Sequence, residues 1–414
     1  MRYLGLAVVD RLGLVMSGGG ARGAYEVGVL SWVLDELPKR LGHVPHFRVL
    51  TGTSVGAIHA CYVAATLGQP GCGQRLIDVW QSLDVGGVYS LGLRTALTLP
   101  FRLVGLGRLQ TGMSGDADRL LGMLDTRPLE RLVHDIVPWD VLRRRIDDGD
   151  VDAVAIAATE IASGKSVVWI DSRDRLVPAW DRDPFVLAEH TPLSPVHALA
   201  SAAIPFLFPA LKVGNAFYCD GGLRLNTPLA PALRLGAERL LIVGLRHVPT
   251  PEEDASLAAQ REEHYGSVAY LAGKVLNALL LDHVDYDVAR MRILNAILET
   301  GRRTYGPEFL RRINQTVERL DGTPYRIVRH VYLQPSRDLG VVANECLEHS
   351  QRGRGFNTWL SDTVLRYAVH GVVAEADLLS YIFFDPCYAR HLIEMGRADA
   401  EARSDELVAL LGDV

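Results

Sequence analysis

Three short constellations in this 414-residue chain carry residue types able to do chemistry. Ser54 stands in Gly52-x-Ser54-x-Gly56, after an apolar run and before a small-residue stretch of helical character, the setting in which a strand turns sharply into a helix and presents a nucleophilic hydroxyl. The glycines let the backbone turn, and the N–H groups of the following helix face developing negative charge. Taken alone, the pattern also describes an ordinary small-residue turn. The second constellation, Gly18-Gly19-Gly20-Ala21-Arg22-Gly23, ends an apolar run and opens a helix, so its N–H groups converge on an anion. Two anions compete. A dinucleotide pyrophosphate requires an acidic residue ending the second strand as well as GxGxxG, and no Asp or Glu occurs from Phe47 to His59. The other anion is the oxyanion of a tetrahedral acyl intermediate. Arg22 adds positive charge there, suited to a lipid phosphate or to an ion pair that holds the loop. In the third, Asp220-Gly221-Gly222, the glycines permit φ > 0 and close approach, so the carboxylate is free to aim into a site; Asp-Gly is equally a common hairpin signal.

The elements that must position these groups follow from apolar patterning. Leu12–Met16 and Phe47–Thr51 read as short strands, each running through a glycine turn into a helix, the first helix over Gly23–Leu37 and ended by Pro38, the second over Ala57–Leu67. Val151–Ile161 and Ser166–Ile170 read as two strands joined at Ala162–Lys165, and Leu240–Leu245 and Ile327–Leu333 as buried strands. Helical patterns lie between most of them. This alternation predicts an α/β fold, a three-layer α/β/α sandwich with a mostly parallel central sheet and sites at the carboxyl ends of its strands. Beyond about residue 340 no further buried strand is legible, which predicts a catalytic domain over 1–340 and a helical C-terminal extension over 341–414.

Composition narrows the function classes. Forty-three Lys and Arg against 49 Asp and Glu give a net charge of −6, leaving no basic field for nucleic acid. Five cysteines, Cys61, Cys72, Cys219, Cys346 and Cys387, are scattered without CxxC spacing, which argues against a disulfide framework or zinc site and for a reducing compartment. The apolar run Tyr3–Val9 is broken by Asp10 and Arg11 without a cleavage pattern, and no uncharged run approaches the roughly 20 residues of a membrane-spanning helix. A cytoplasmic or peripheral membrane location is therefore expected.

The order and spacing of the three motifs resemble the patatin-like phospholipase family: a glycine-rich oxyanion loop, a G-x-S-x-G elbow some thirty residues on, and a D-G-G turn well downstream. Ser201-Ala202-Ala203-Ile204-Pro205 and Phe208-Pro209 are similar to a further block of that family, so the resemblance covers about Leu12 to Leu245. One departure is Ser17, where many members have Asp. The resemblance implies a Ser-Asp dyad in which Asp220 accepts the Ser54 proton directly, with the Gly18–Gly23 loop as oxyanion hole, no metal and no organic cofactor. An apolar pocket would raise the Asp220 pKa toward a value useful to a base. A serine triad would instead need a histidine after Asp220, and His247, His264, His283, His330 and His349 sit in no recognisable motif. His59, five residues past Ser54, falls off the nucleophile's face.

Other signals have plainer explanations. Gly164-Lys165-Ser166 lacks the first glycine of a P-loop and reads as a hairpin turn. Asp282, His283, Asp285 and Asp287 read as a solvated helix face more readily than as metal ligands. Residues 85–113 hold Arg94, Arg102 and Arg108 without any acidic residue among many apolar ones, which suits either a cap touching anionic membrane or a connecting loop. The expected function is hydrolysis of phospholipid or lysophospholipid esters through an acyl-Ser54 intermediate. Acyl transfer from the same intermediate and an idle lipid-binding module are the alternatives.

Overall fold

The computed structural model describes residues 11–89, 119, 122, 124–175, 177, 184–205, 207–253, 284–319, 324–351 and 380–412. Its centre is a sheet of nine strands: β1 (Leu12–Met16), β2 (Val49–Thr53), β3 (Ala153–Glu160), β4 (Ser166–Ser172), β5 (Val186–His190), β6 (Leu211–Val213), β7 (Ala216–Asp220), β8 (Arg239–Val243) and β9 (Arg329–Leu333). The order is β5-β4-β3-β2-β1-β8-β9, with β7 joining β3 and β6 joining β7. From β3 to β9 every neighbour is parallel, whereas β4 and β7 run antiparallel to β3. β1, β2 and β8 are buried at every position, as strands covered on both faces must be, which is why β1 and Leu240–Val243 of β8 read as apolar runs. The mixed α/β architecture agrees with the expectation, including the β3–β4 hairpin at the Gly164 turn.

Helices cover both faces. The Val55–Thr66 helix is buried along its whole length, and the Gly23–Ser31 helix likewise. That first helix does not stop at Pro38. It continues through a π-helical turn, Trp32–Glu36, into a second α-segment, Leu37–Leu41, closed by Gly42 at φ 78°. Pro38 is the second residue of the new segment, in the first turn where proline is tolerated.

Past residue 340 the described elements are helices, Leu339–Gln351, Pro386–Ala402 and Ser404–Leu411. Asp385 caps the second by accepting the Cys387 and Tyr388 N–H groups. That helix lies directly on Gly23–Ser31: a Cβ on Gly28 would come 2.2 Å from Ile393 O, and one on Gly396 2.2 Å from Tyr25 O. Tyr388, Leu392 and Ile393 share one apolar core with Leu14, Tyr25 and Leu50.

The cysteines depart from expectation. Cys346 and Cys387 form a disulfide with Cα atoms 6.0 Å apart, while Cys61, Cys72 and Cys219 are buried and free. The link joins two helices 41 residues apart in sequence, a pairing that linear spacing does not reveal, and it removes the ground for expecting a reducing compartment. Among the described residues no helix is long and apolar enough to cross a membrane.

Candidate active site

One edge of β3 brings Ser54 and Asp220 together. β2 pairs along it up to Thr53 opposite Ala157, and one residue further β7 takes over, with Asp220 opposite Ala158. β2 runs parallel to β3 and β7 antiparallel, so the two strands meet head to head and present their carboxyl ends to each other. Ser54 follows Thr53 directly, and Asp220 is the last residue of β7.

Ser54 occupies φ 55°, ψ −124°, a left-handed conformation that a non-glycine residue adopts at a cost of about 1–3 kcal/mol. The surroundings hold it there. Its N–H donates to Ser201 Oγ at 2.8 Å, and that hydroxyl donates to Ala157 O at 2.6 Å, tying the elbow to β3. A Cβ at Gly52 would fall 2.1 Å from Gly56 O, so the turn closes only over bare backbone.

Ser54 Oγ donates to Asp220 Oδ2 at 2.6 Å, and the Gly222 N–H donates to Oδ1 at 2.7 Å. Asp220 is 2% exposed. Burial pushes its carboxyl from 3.8 up to about 6, against the pull of the Ser54 and Gly222 hydrogen bonds. Of the two roles expected of the glycines, close approach is met and positive φ is not. Neither adopts positive φ; Gly221 is required by close approach, since a Cβ there would lie 2.3 Å from Ala157 O.

The glycine loop is stitched to the stretch that follows the Asp turn. Gly18 N–H donates to Asn226 O at 3.0 Å, Asn226 Nδ2 donates to Gly18 O at 3.1 Å, and Ser17 Oγ lies 2.5 Å from Thr227 Oγ1. The N–H groups of Gly19 and Gly20 have no hydrogen-bond acceptor among the described residues. Gly20, at φ 55°, lines an apolar cavity together with Ser54, Ile58, Trp80, Leu129 and Phe384. Ala21 and Gly23 are buried in the helical turn that follows. Arg22 is buried too, its Nε donating to Ser380 Oγ at 2.7 Å and its guanidinium lying 4.0 Å from the Tyr381 ring centroid. It ties the loop to the C-terminal segment through a hydroxyl and an aromatic face.

Ser201, Asn226 and Thr227 were not singled out by function in the sequence, though Ser201 stood in a family-like block and Asn226 just beyond the Asp turn. The described histidines after Asp220 bond elsewhere: His247 to Pro335 O and Glu253, His330 with Arg292, His349 to Glu345 O and His391 to Cys387 O. His264, His283 and Asp282 lie outside the described residues, as do residues 90–113 of the expected cap. Within the described part of that cap, Val88 lines the cavity and the Tyr89 hydroxyl donates to Ile382 O. Among the described residues, the one cluster with metal-ligand chemistry is Cys346, Cys387 and His391, whose two sulfurs are bonded to each other.

The family model "Patatin-like phospholipase" matches residues 14–233, a span that holds all three motifs. The chain belongs to this family. Among solved structures it is similar to VipD from Legionella pneumophila, at 15% identity over 78% of this chain and 61% of that one, with a TM-score of 0.33. It is similar also to ExoU in the heterodimeric ExoU–SpcU complex of the Pseudomonas aeruginosa type III secretion system, at 16% identity over 90% and 74%, with a TM-score of 0.30. The chain thus spans about three-fifths of VipD. No curated protein matches it.

Proposed function

We propose that this patatin-like protein hydrolyses carboxylic esters of phospholipids or lysophospholipids through an acyl-serine intermediate formed by Ser54 and Asp220. The observation that carries this reading is the 2.6 Å Ser54–Asp220 hydrogen bond at the edge of an apolar cavity. A carboxylate buried until its pKa approaches 6 accepts a proton more readily than an ordinary aspartate while remaining ionised at neutral pH.

In the first half-reaction Asp220 takes the Ser54 proton as Oγ attacks the ester carbonyl. The negative charge on the carbonyl oxygen is met by the Gly19 and Gly20 N–H groups, which need no reorganisation to receive it. Collapse of the tetrahedral intermediate breaks the bond to the alcohol, whose alkoxide takes the proton from Asp220. In the second half-reaction Asp220 removes a proton from water, hydroxide attacks the acyl-Ser54 carbonyl, and the proton returns to Oγ as the fatty acid leaves. Each half-reaction balances without metal or cofactor. The apolar walls formed by Ile58, Trp80, Leu129 and Phe384 suit an acyl chain.

Incubation with a mixed lipid extract should release free fatty acids, and Ser54→Ala should abolish the release while leaving Tm nearly unchanged. A serine-directed organophosphonate should label the wild type once, at Ser54. Labelling at a different serine, or retention of a tenth of the activity in Ser54→Ala, would refute the reading.

A further inference from the structure

Glu26, His59 and Trp80 form a buried polar chain that the Ser54–Asp220 chemistry leaves without a task. Glu26 lies in the first turn of the Gly23–Ser31 helix with no exposed surface, and His59 is 1% exposed on the elbow helix. One Glu26 carboxylate oxygen accepts the Ser17 backbone N–H at 2.9 Å, at the root of the glycine loop; the other lies 2.8 Å from His59 Nδ1. On the far side of the imidazole, Trp80 Nε1 donates to His59 Nε2 at 3.1 Å. His59 and Trp80 line the same cavity as Gly20 and Ser54.

Donor and acceptor accounting assigns the protonation state. An indole nitrogen only donates, so His59 Nε2 is bare; the imidazole is therefore neutral, carries its proton on Nδ1 and donates it to Glu26. Glu26 then accepts twice, from Ser17 on one oxygen and from His59 on the other, as a carboxylate does. Burial raises the Glu26 pKa, and these same two hydrogen bonds offset only part of that rise. The chain has one direction, from Trp80 through His59 to Glu26, with Ser17 arriving from the other side.

We infer that Glu26 and His59 are positioning residues: they lock the root of the Gly18–Gly20 loop to the helix that carries Ser54. The catalytic part of this inference rests on the function proposed above. Oxyanion donors act only if they are already in place around the oxygen of the transition state, so loosening their root lowers kcat more than it raises KM.

Glu26→Gln tests the accounting. The amide keeps one acceptor, for Ser17, and turns a donor toward His59 Nδ1; the imidazole proton must then move to Nε2, where it opposes the Trp80 N–H. Turnover should fall roughly tenfold or more with KM changed less than about twofold. Adding Trp80→Phe removes the opposed donor, so Glu26→Gln should cost much less in a Trp80→Phe background than alone. His59→Gln offers one donor to Glu26 and one acceptor to Trp80 and should retain more turnover than His59→Leu. Histidine 15N spectra of wild type and of Ser54→Ala, with the His59 signals assigned by their loss in His59→Gln, should show a protonated Nδ1 and a bare Nε2. A protonated Nε2 overturns the network. Unchanged turnover in folded Glu26→Gln, equal costs in both backgrounds, or His59→Leu matching His59→Gln overturns the positioning role. If Ser54→Ala stays active the hydrolase reading fails, while the tautomer measurement stands independently.

Discussion

Replacing Asp220 by Asn separates catalysis from stability, and the structure supplies the sign of both. Asn keeps an oxygen for the Gly222 N–H, and its amide NH2 can donate to Ser54 Oγ, so the fold loses no hydrogen bond. It loses the base. General-base catalysis is worth about 10²–10⁴-fold, and turnover should fall by at least that much. Stability should move the other way. Below pH 3.8 the carboxyl is protonated in folded and unfolded chains alike; between 3.8 and about 6 only the unfolded chain ionises, so wild-type stability drops as pH rises. Above about pH 6 the wild type carries the full penalty, which the raised pKa puts at no more than about 3 kcal/mol. Asp220→Asn should therefore unfold at higher temperature than wild type at pH 8, with the difference shrinking toward pH 4. Thermal unfolding at several pH values, beside ester hydrolysis, measures both. A variant that keeps a tenth of wild-type turnover, or that is less stable than wild type at pH 8, would refute the account of Asp220 as a buried ionised base.

The remaining predictions probe the same geometry. Wild-type turnover should rise with pH through one apparent pKa near 6, because the ionised Asp220 is the active form, and that limb should persist in His247→Ala, His330→Ala and His349→Ala. Gly20→Ala should slow acylation about 10²-fold or more and lower Tm, since its Cβ would lie 2.1 Å from the Tyr381 backbone oxygen at φ 55°. Gly19→Ala meets the flexible end of Leu245 instead and should lower Tm less, as paired melts would reveal. Ser54→Gly should be more stable than Ser54→Ala by about 1 kcal/mol in denaturant titrations, because glycine accepts the positive φ of the elbow. Cys346→Ser with Cys387→Ser should lower stability by about 2–4 kcal/mol and make Tm insensitive to reductant.

What the sequence determined by itself was local. The buried strands β1 and β8 are legible in the apolar runs Leu12–Met16 and Leu240–Val243, and the glycines of the loop and elbow mark turns that admit no side chain, because strand burial and tight backbone approach are written in consecutive residues. The family followed from three such local motifs in order. The sequence did not contain the ruler that aligns them: 166 residues separate Ser54 from Asp220, and their meeting depends on β2 and β7 sharing one edge of β3. Pro38 does not end the helix, because it falls in the first turn of the segment that follows a π-turn. The Cys346–Cys387 link and the Glu26–His59–Trp80 chain were equally hidden, each joining elements whose separation along the chain says nothing of their distance in space. Tertiary structure alone decided the Asp220 pKa, since a carboxylate becomes a base near pH 6 only when the surrounding sheet and helices have taken its water away.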